Sequence, residues 1–75
     1  MAVVDVKAPM VASVFEITCS VGDAIAEGDE LLVLESMKME IPVEAECSGS
    51  VVEILVELKE SIDEDSVLLR IDTGG

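Results

Sequence analysis

The sequence has no histidine, no tryptophan and no tyrosine, and Phe15 is its one aromatic residue. Without imidazole, the usual neutral-pH general base is missing, and with it Ser-His and Cys-His catalysis and most zinc sites. Bases are nearly as scarce: 4 Lys and Arg stand against 17 Asp and Glu, a net charge of −13. Such a surface repels phosphate backbones and anionic headgroups, so neither nucleic acid nor a membrane is an expected partner. The charge reads first as a solvated, self-repelling surface, and second as steering toward a basic face on a partner enzyme. No apolar run approaches the roughly 20 residues that span a bilayer. Met1-Ala2-Val3-Val4-Asp5 lacks the basic start and apolar stretch of a signal peptide. A cytoplasmic protein is expected, in which Cys19 and Cys47 stay reduced; neither belongs to a CxxC pair. Asp63-Glu64-Asp65 fails the calcium-loop pattern, because Val67 stands where a third polar ligand belongs. It reads as a solvated turn, so no metal site and no catalytic residue is expected.

What is there is aliphatic. At 75 residues the chain is expected to be one small domain, residues 1–75, with little room for a deep cleft. Its apolar half is almost all Val, Leu, Ile, Ala and Met, which suits a sheet packed on a sheet. Apolar residues alternate with period two. The pattern puts Phe15, Ile17, Cys19 and Val21 on one face, and Val52, Ile54, Val56 and Leu58 on one face. Leu31–Leu34 and Val67–Ile71 are denser runs of strand length. Gly22-Asp23 and Gly28-Asp29 read as turns, with the glycines at positive φ. Pro9 and Pro42 each mark a strand start or an edge. Residues 24–27 are expected to form a single turn. The chain is expected to be all-β.

The chain also repeats itself. A shift of 37 residues lays Ser13-Val14-x-Glu16-Ile17 on Ser50-Val51-x-Glu53-Ile54, Ile25-x-Glu27 on Ile62-x-Glu64, and Leu31-Leu32 on Leu68-Leu69. Neither half can bury its apolar face alone. Two related halves about a pseudo-two-fold axis would close a flattened barrel of two sheets.

Between the halves lies Leu34-Glu35-Ser36-Met37-Lys38-Met39-Glu40-Ile41-Pro42-Val43. One strand runs in and another runs out, so the middle should be a hairpin turn. It lacks the Asn-Gly or Gly-Gly that a two-residue primed turn prefers, and such local conflicts mark functional sites. Lys38 has 37 residues on each side of it. It is flanked by Met37 and Met39, large apolar side chains at an exposed turn, which suggests recognition.

Glu35-Ser36-Met37-Lys38-Met39 resembles the biotin attachment sequence of biotinyl carrier domains. The resemblance extends over essentially the whole chain. Ala8-Pro9-Met10 resembles the family's opening strand, Val21-Gly22-Asp23-x-Ile25-x-x-Gly28-Asp29-x-Leu31 the approach to the lysine strand, and Ser48-Gly49-Ser50-Val51 the return. It implies the biotinyl/lipoyl hammerhead: a flattened barrel of two four-stranded antiparallel sheets, termini at one end and lysine at the other. It also implies a role. A biotin protein ligase would attach biotin to Lys38, and the tethered biotin would carry carboxylate from a biotin carboxylase to a carboxyltransferase. Met37 and Met39 match the flanking methionines that present the biotinyl-lysine. Glu35 and Ser36 match the preceding positions, where Glu35 is either read by the ligase or a solvated hairpin acid.

Three departures stand out. Lys59 and Asp65 hold the second-half positions that match Gly22 and Gly28. Val11-Ala12 replaces the family's common Pro-Gly. No insertion over the biotin is evident. Two alternatives remain: a lipoyl carrier, which shares the fold but usually has Asp before the lysine, and an unmodified barrel adaptor. Met on both sides favours biotin over lipoate. The Met1-Ala2 start and short tail suggest a free-standing carrier rather than a piece of a carboxylase.

Overall fold

The computed structural model describes residues 2–74. Eight strands follow one another: β1 (Val3–Lys7), β2 (Ala12–Ile17), β3 (Ala24–Ile25), β4 (Glu30–Ser36), β5 (Met39–Glu44), β6 (Gly49–Ile54), β7 (Ser61–Ile62) and β8 (Val67–Asp72). They form two four-stranded sheets with orders β1-β8-β6-β3 and β5-β4-β2-β7, every pairing antiparallel. Adding 37 to the residue numbers of β2 and β4, and subtracting 37 from those of β5 and β7, turns the second order into the first, so the repeat is structural. Among the described residues no helix is long and apolar enough to cross a membrane.

The two halves are interleaved. β7 of the second half closes the edge of β2, and β3 of the first half closes the edge of β6. The turn bonds repeat in the same way. The Gly22 N–H donates to the Val51 carbonyl at 2.7 Å, and the Lys59 N–H donates to the Val14 carbonyl at 2.7 Å. Side-chain caps repeat too. The Asp23 carboxylate accepts from the Ser20 N–H at 2.8 Å, and the Glu60 carboxylate accepts from the Glu57 N–H at 3.0 Å. Asp29 accepts from the Ala26 N–H, and Ser66 accepts from the Asp63 N–H. The acids of these turns therefore satisfy backbone donors that the short strands leave unpaired. At Asp63-Glu64-Asp65 the Ser66 hydroxyl takes that part instead.

The core between the sheets is aliphatic. Leu31, Leu32, Leu34, Leu68, Leu69 and Ile71 are fully buried, with Val14 and Val51 beside them. Each contributes about 1.5–3 kcal/mol relative to exposure. The inward sets expected from alternation are half right. Cys19 and Val56 are buried and Ile17 and Ile54 pack against the core, but Phe15, Val21, Val52 and Leu58 are exposed. Val21 and Leu58 lie beyond the ends of β2 and β6, and for Phe15 and Val52 the cause is a bulge in each half. Val14 pairs with Leu34 and Glu16 with Val33, which leaves Phe15 as the extra residue; Val52 is its mate between Val51 and Glu53. One inserted residue reverses the face of whatever precedes it, so Val14 and Val51 point inward instead. Residues 24–27 also differ from expectation: Ala24–Ile25 is a short strand, and the turn begins after it.

Lys59 and Asp65 adopt the left-handed backbone of their glycine mates, both with φ 68°, against 97° at Gly22 and 92° at Gly28. The turn geometry is thus kept without glycine, at a conformational cost of about 1–2 kcal/mol for a residue such as Lys. Gly49 is constrained differently. A Cβ there would press on the Asp72 carbonyl oxygen and lie 2.9 Å from Ile71 Cγ2, so β6 and β8 approach too closely for any side chain. At Gly22 a Cβ would meet nothing within 4 Å, and only φ opposes it.

Two outcomes follow. Gly22→Ala should lower unfolding free energy by about 1–2 kcal/mol in urea denaturation, and Gly49→Ala by distinctly more, because backbone must move. The Cys19 thiol is pushed up from its ordinary pKa, first by burial and then by the negative charge of Asp23. It should stay protonated and fail to react with a thiol reagent at neutral pH, while partly exposed Cys47 reacts; both should react in denaturant.

Candidate functional site

The hairpin between β4 and β5 is pinned by its register. Leu34 pairs with Ile41, Glu35 with Glu40 and Ser36 with Met39, which leaves Met37 and Lys38 as the two central residues of the turn. Their φ values are 51° and 67°. Positive φ at both central positions is the type I′ turn, whose twist matches that of the flanking strands. Asn and Gly take this conformation easily, whereas Met and Lys each do so at about 1–2 kcal/mol. The strain is held in place by β4, whose Leu31–Leu34 segment is buried along its length. Pro42 has no N–H to give a further strand, and it lies in β5, which is an edge of its sheet.

The side chains at the tip project into solvent. Met37 is 92% exposed and Met39 62%. Lys38 and Glu35 are exposed, and Ser36 is half-buried. The structure therefore brings all five sequence-designated residues onto one hairpin end, with Lys38 at its apex. Among the described residues no carboxylate forms an ion pair with Lys38. An amine on a strained, rigid apex, free of a partner and flanked by two exposed thioethers, fits covalent loading: a group joined there stands clear of the barrel.

The chain ends lie at the far end of the molecule. The Thr73 N–H donates to the Ala2 carbonyl at 2.8 Å, and Val3 pairs with Asp72. Under the 37-residue shift this pair corresponds to Glu40 and Glu35, so the termini occupy the place that the Lys38 turn occupies in the other half. The body measures 37 × 18 × 17 Å. Between the edge strands β1 and β5 runs a groove of about 370 Å³, bordered by Val4, Val6, Val43 and Cys47. None of the five hairpin residues lines it. Among the described residues no group of three or more acids and cysteines is placed to hold a metal ion.

Sequence reasoning missed the acids that cap the turns and the close approach at Gly49. The caps had a signal, since Asp23 and Glu60 each stand three residues after the N–H they satisfy. The approach at Gly49 had none beyond the glycine itself.

Residues 4–71 match the family model described as "Biotin-requiring enzyme", the biotin/lipoyl family. A biotinylated protein TB7.3 homolog of Mycobacterium leprae is 52% identical over 58 residues, which cover 77% of this chain and 82% of the relative. The biotin/lipoyl attachment protein of Bacillus subtilis is 38% identical over 69 residues, covering 92% of this chain and 94% of that one. Among solved structures, a single-chain, multi-domain long-chain acyl-CoA carboxylase superposes with a TM-score of 0.86 at 26% identity. The match covers 91% of this chain but 7% of the carboxylase. With a matching family model over most of its length, and the barrel and lysine hairpin in place, the chain belongs to the biotin/lipoyl attachment family.

Proposed function

We propose that the protein is a biotin carrier, a single biotinyl attachment domain over residues 1–75. Lys38 is its modified residue, and Met37, Met39, Glu35 and Ser36 form the flank that a biotin protein ligase reads. The observation that carries this reading is the placement of an unpaired lysine at the apex of a two-residue turn between exposed methionines. Attachment joins the carboxyl carbon of biotin to Lys38 Nζ as an amide, with loss of water overall and ATP consumed by the ligase. Biotin, once bound, supplies the atom that holds a carboxylate. The chain's own residues orient and carry. The turn fixes the direction in which the lysine leaves the barrel, and the barrel converts two bimolecular encounters into near-intramolecular ones.

The carrier serves a biotin-dependent carboxylase system in the cytoplasm, accepting carboxylate from a biotin carboxylase and delivering it to a carboxyltransferase. The likeness to a carboxylase-embedded domain supports this assignment. Lipoate is the second cofactor to test, because the relative in Bacillus subtilis is a biotin/lipoyl attachment protein. Met37, where lipoyl domains usually have Asp, favours biotin.

Intact mass after incubation with biotin, ATP and a biotin protein ligase is expected to rise by one biotin minus water, mapped to Lys38. No gain from folded protein, with a gain in the matching lipoate incubation, would reassign the cofactor. Lys38→Ala should abolish labelling and leave cooperative unfolding within about 0.5 kcal/mol, since the side chain is exposed. Met37→Asp with Met39→Ala should shift labelling toward lipoate when both ligases compete; unchanged preference would show that the flanking residues are not what discriminates.

A further inference from the structure

The pseudo-two-fold axis supplies an internal comparison. On the outer face of β1-β8-β6, Arg70 lies between Asp5 and Glu53, at 2.9 Å and 2.7 Å. These pairs raise the Arg70 pKa further, chiefly through the hydrogen bonds to Asp5 and then Glu53. On that face two acids share one cation. Subtracting 37 from Arg70 and adding 37 to Asp5 gives Val33 and Pro42 on the outer face of β5-β4-β2. The backbone is the same and the chemistry is not. Phe15, the bulge residue there, is 50% exposed. Val33 beside it is buried yet stands outside the core cluster, which means its cover comes from neighbours on this outer face. Phe15, Val33 and Pro42 thus form an apolar centre.

Acids frame that centre. Glu35 faces Glu40 directly across the hairpin, and Glu30 faces Glu44. Like charges in directly opposed pairs destabilise a sheet. Glu16 lies next to Phe15 at the bulge. Among the described residues none of these acids is in an ion pair. Lys59 borders the face near Phe15, Ser13 and Glu35, at the end remote from Pro42. An exposed aromatic on β2, framed by acids on β4 and β5, the two strands that carry Lys38, has the makeup of an interface: an aromatic anchor in the middle and a charged rim around it.

We propose that the outer face of β5-β4-β2 is the docking surface for the enzyme that loads carboxylate onto the carrier, Phe15 entering an apolar pocket bordered by lysine or arginine. The proposal rests on the biotin-carrier reading. Charge complementarity favours an occupant with a cationic surface. Loading a carboxylate requires an enzyme that binds an anionic donor, so the mouth of such a site is lined by cations, and opposed glutamates meet them. Continuity with the hairpin selects the geometry: a partner seated on β4 and β5 receives Lys38 from the same two strands. A net charge of −13 also speeds the encounter with a basic surface, in a salt-dependent way.

The test uses biotinylated full-length protein as substrate for a purified biotin carboxylase, with biotin protein ligase and carboxyltransferase assayed in parallel. Phe15→Ala is expected to raise the carrier's KM at the carboxylase about tenfold, with kcat unchanged and free biotin turned over as before. Val52→Ala, its mate on the face that carries the Arg70 ion pairs, should change nothing. Glu40→Lys with Glu44→Lys should raise KM further and flatten its salt dependence; these exposed positions serve even if Phe15→Ala unfolds. An unchanged KM in Phe15→Ala and in the glutamate pair overturns the docking face while the carrier reading stands. An effect confined to the ligase or the carboxyltransferase overturns the choice of partner. Failure of the wild-type protein to accept biotin at all removes the carrier reading itself.

Discussion

The exchange of edge strands between the two halves is the constraint on which everything else rests. Each half brings four strands, and its own strands end in different sheets: β2 and β4 in one, β1 and β3 in the other. Neither half has a core without its partner, because Leu31, Leu32 and Leu34 of one are buried against Leu68, Leu69 and Ile71 of the other. A chain so short gains stability from this interleaving where a larger one would use helices to cover its sheets. The turns then follow. Each must leave a strand in one sheet and re-enter in the other, and the left-handed residues at 22, 28, 59 and 65 perform that change of direction in both halves.

The hairpin depends on the same constraint. Met37 and Lys38 hold positive φ because β4 is fully engaged on both edges, by β2 and by β5, and its buried leucines fix the register. A slip of one residue would turn Leu32 and Leu34 outward and Val33 and Glu35 inward. The apex is therefore rigid without being buried. Lys38 therefore projects from a turn held by the sheet, away from the groove between β1 and β5.

Much of this was legible in the sequence, for identifiable reasons. The 37-residue repeat announced two related halves, the dense runs at Leu31–Leu34 and Val67–Ile71 announced the central strands, and the glycine-acid pairs announced the turns. Met-Lys-Met at the midpoint announced the exposed hairpin tip. The bulges were not legible. Phe15 and Val52 extend an unbroken alternation, and nothing in a period-two pattern marks which residue will be left without a partner. The error was instructive, since it hid the one exposed aromatic inside an expected core. The short strands β3 and β7 were missed for a related reason: two residues carry no period at all. Likewise the left-handed geometry of Lys59 is dictated by its mate in the fold, against its own preference.

The pairing of Ala2 with Thr73 where the other half has its lysine turn has a consequence for how the chain is threaded. The two ends of the barrel are equivalent in backbone, and differ in that one is bridged by Met37-Lys38 and the other is open. Bridging the open end and breaking the closed one would give a circular permutant with the same sheets, the same crossings and the same core. Lys38 thus occupies a link that the two sheets themselves do not require, the splice between two copies of a unit.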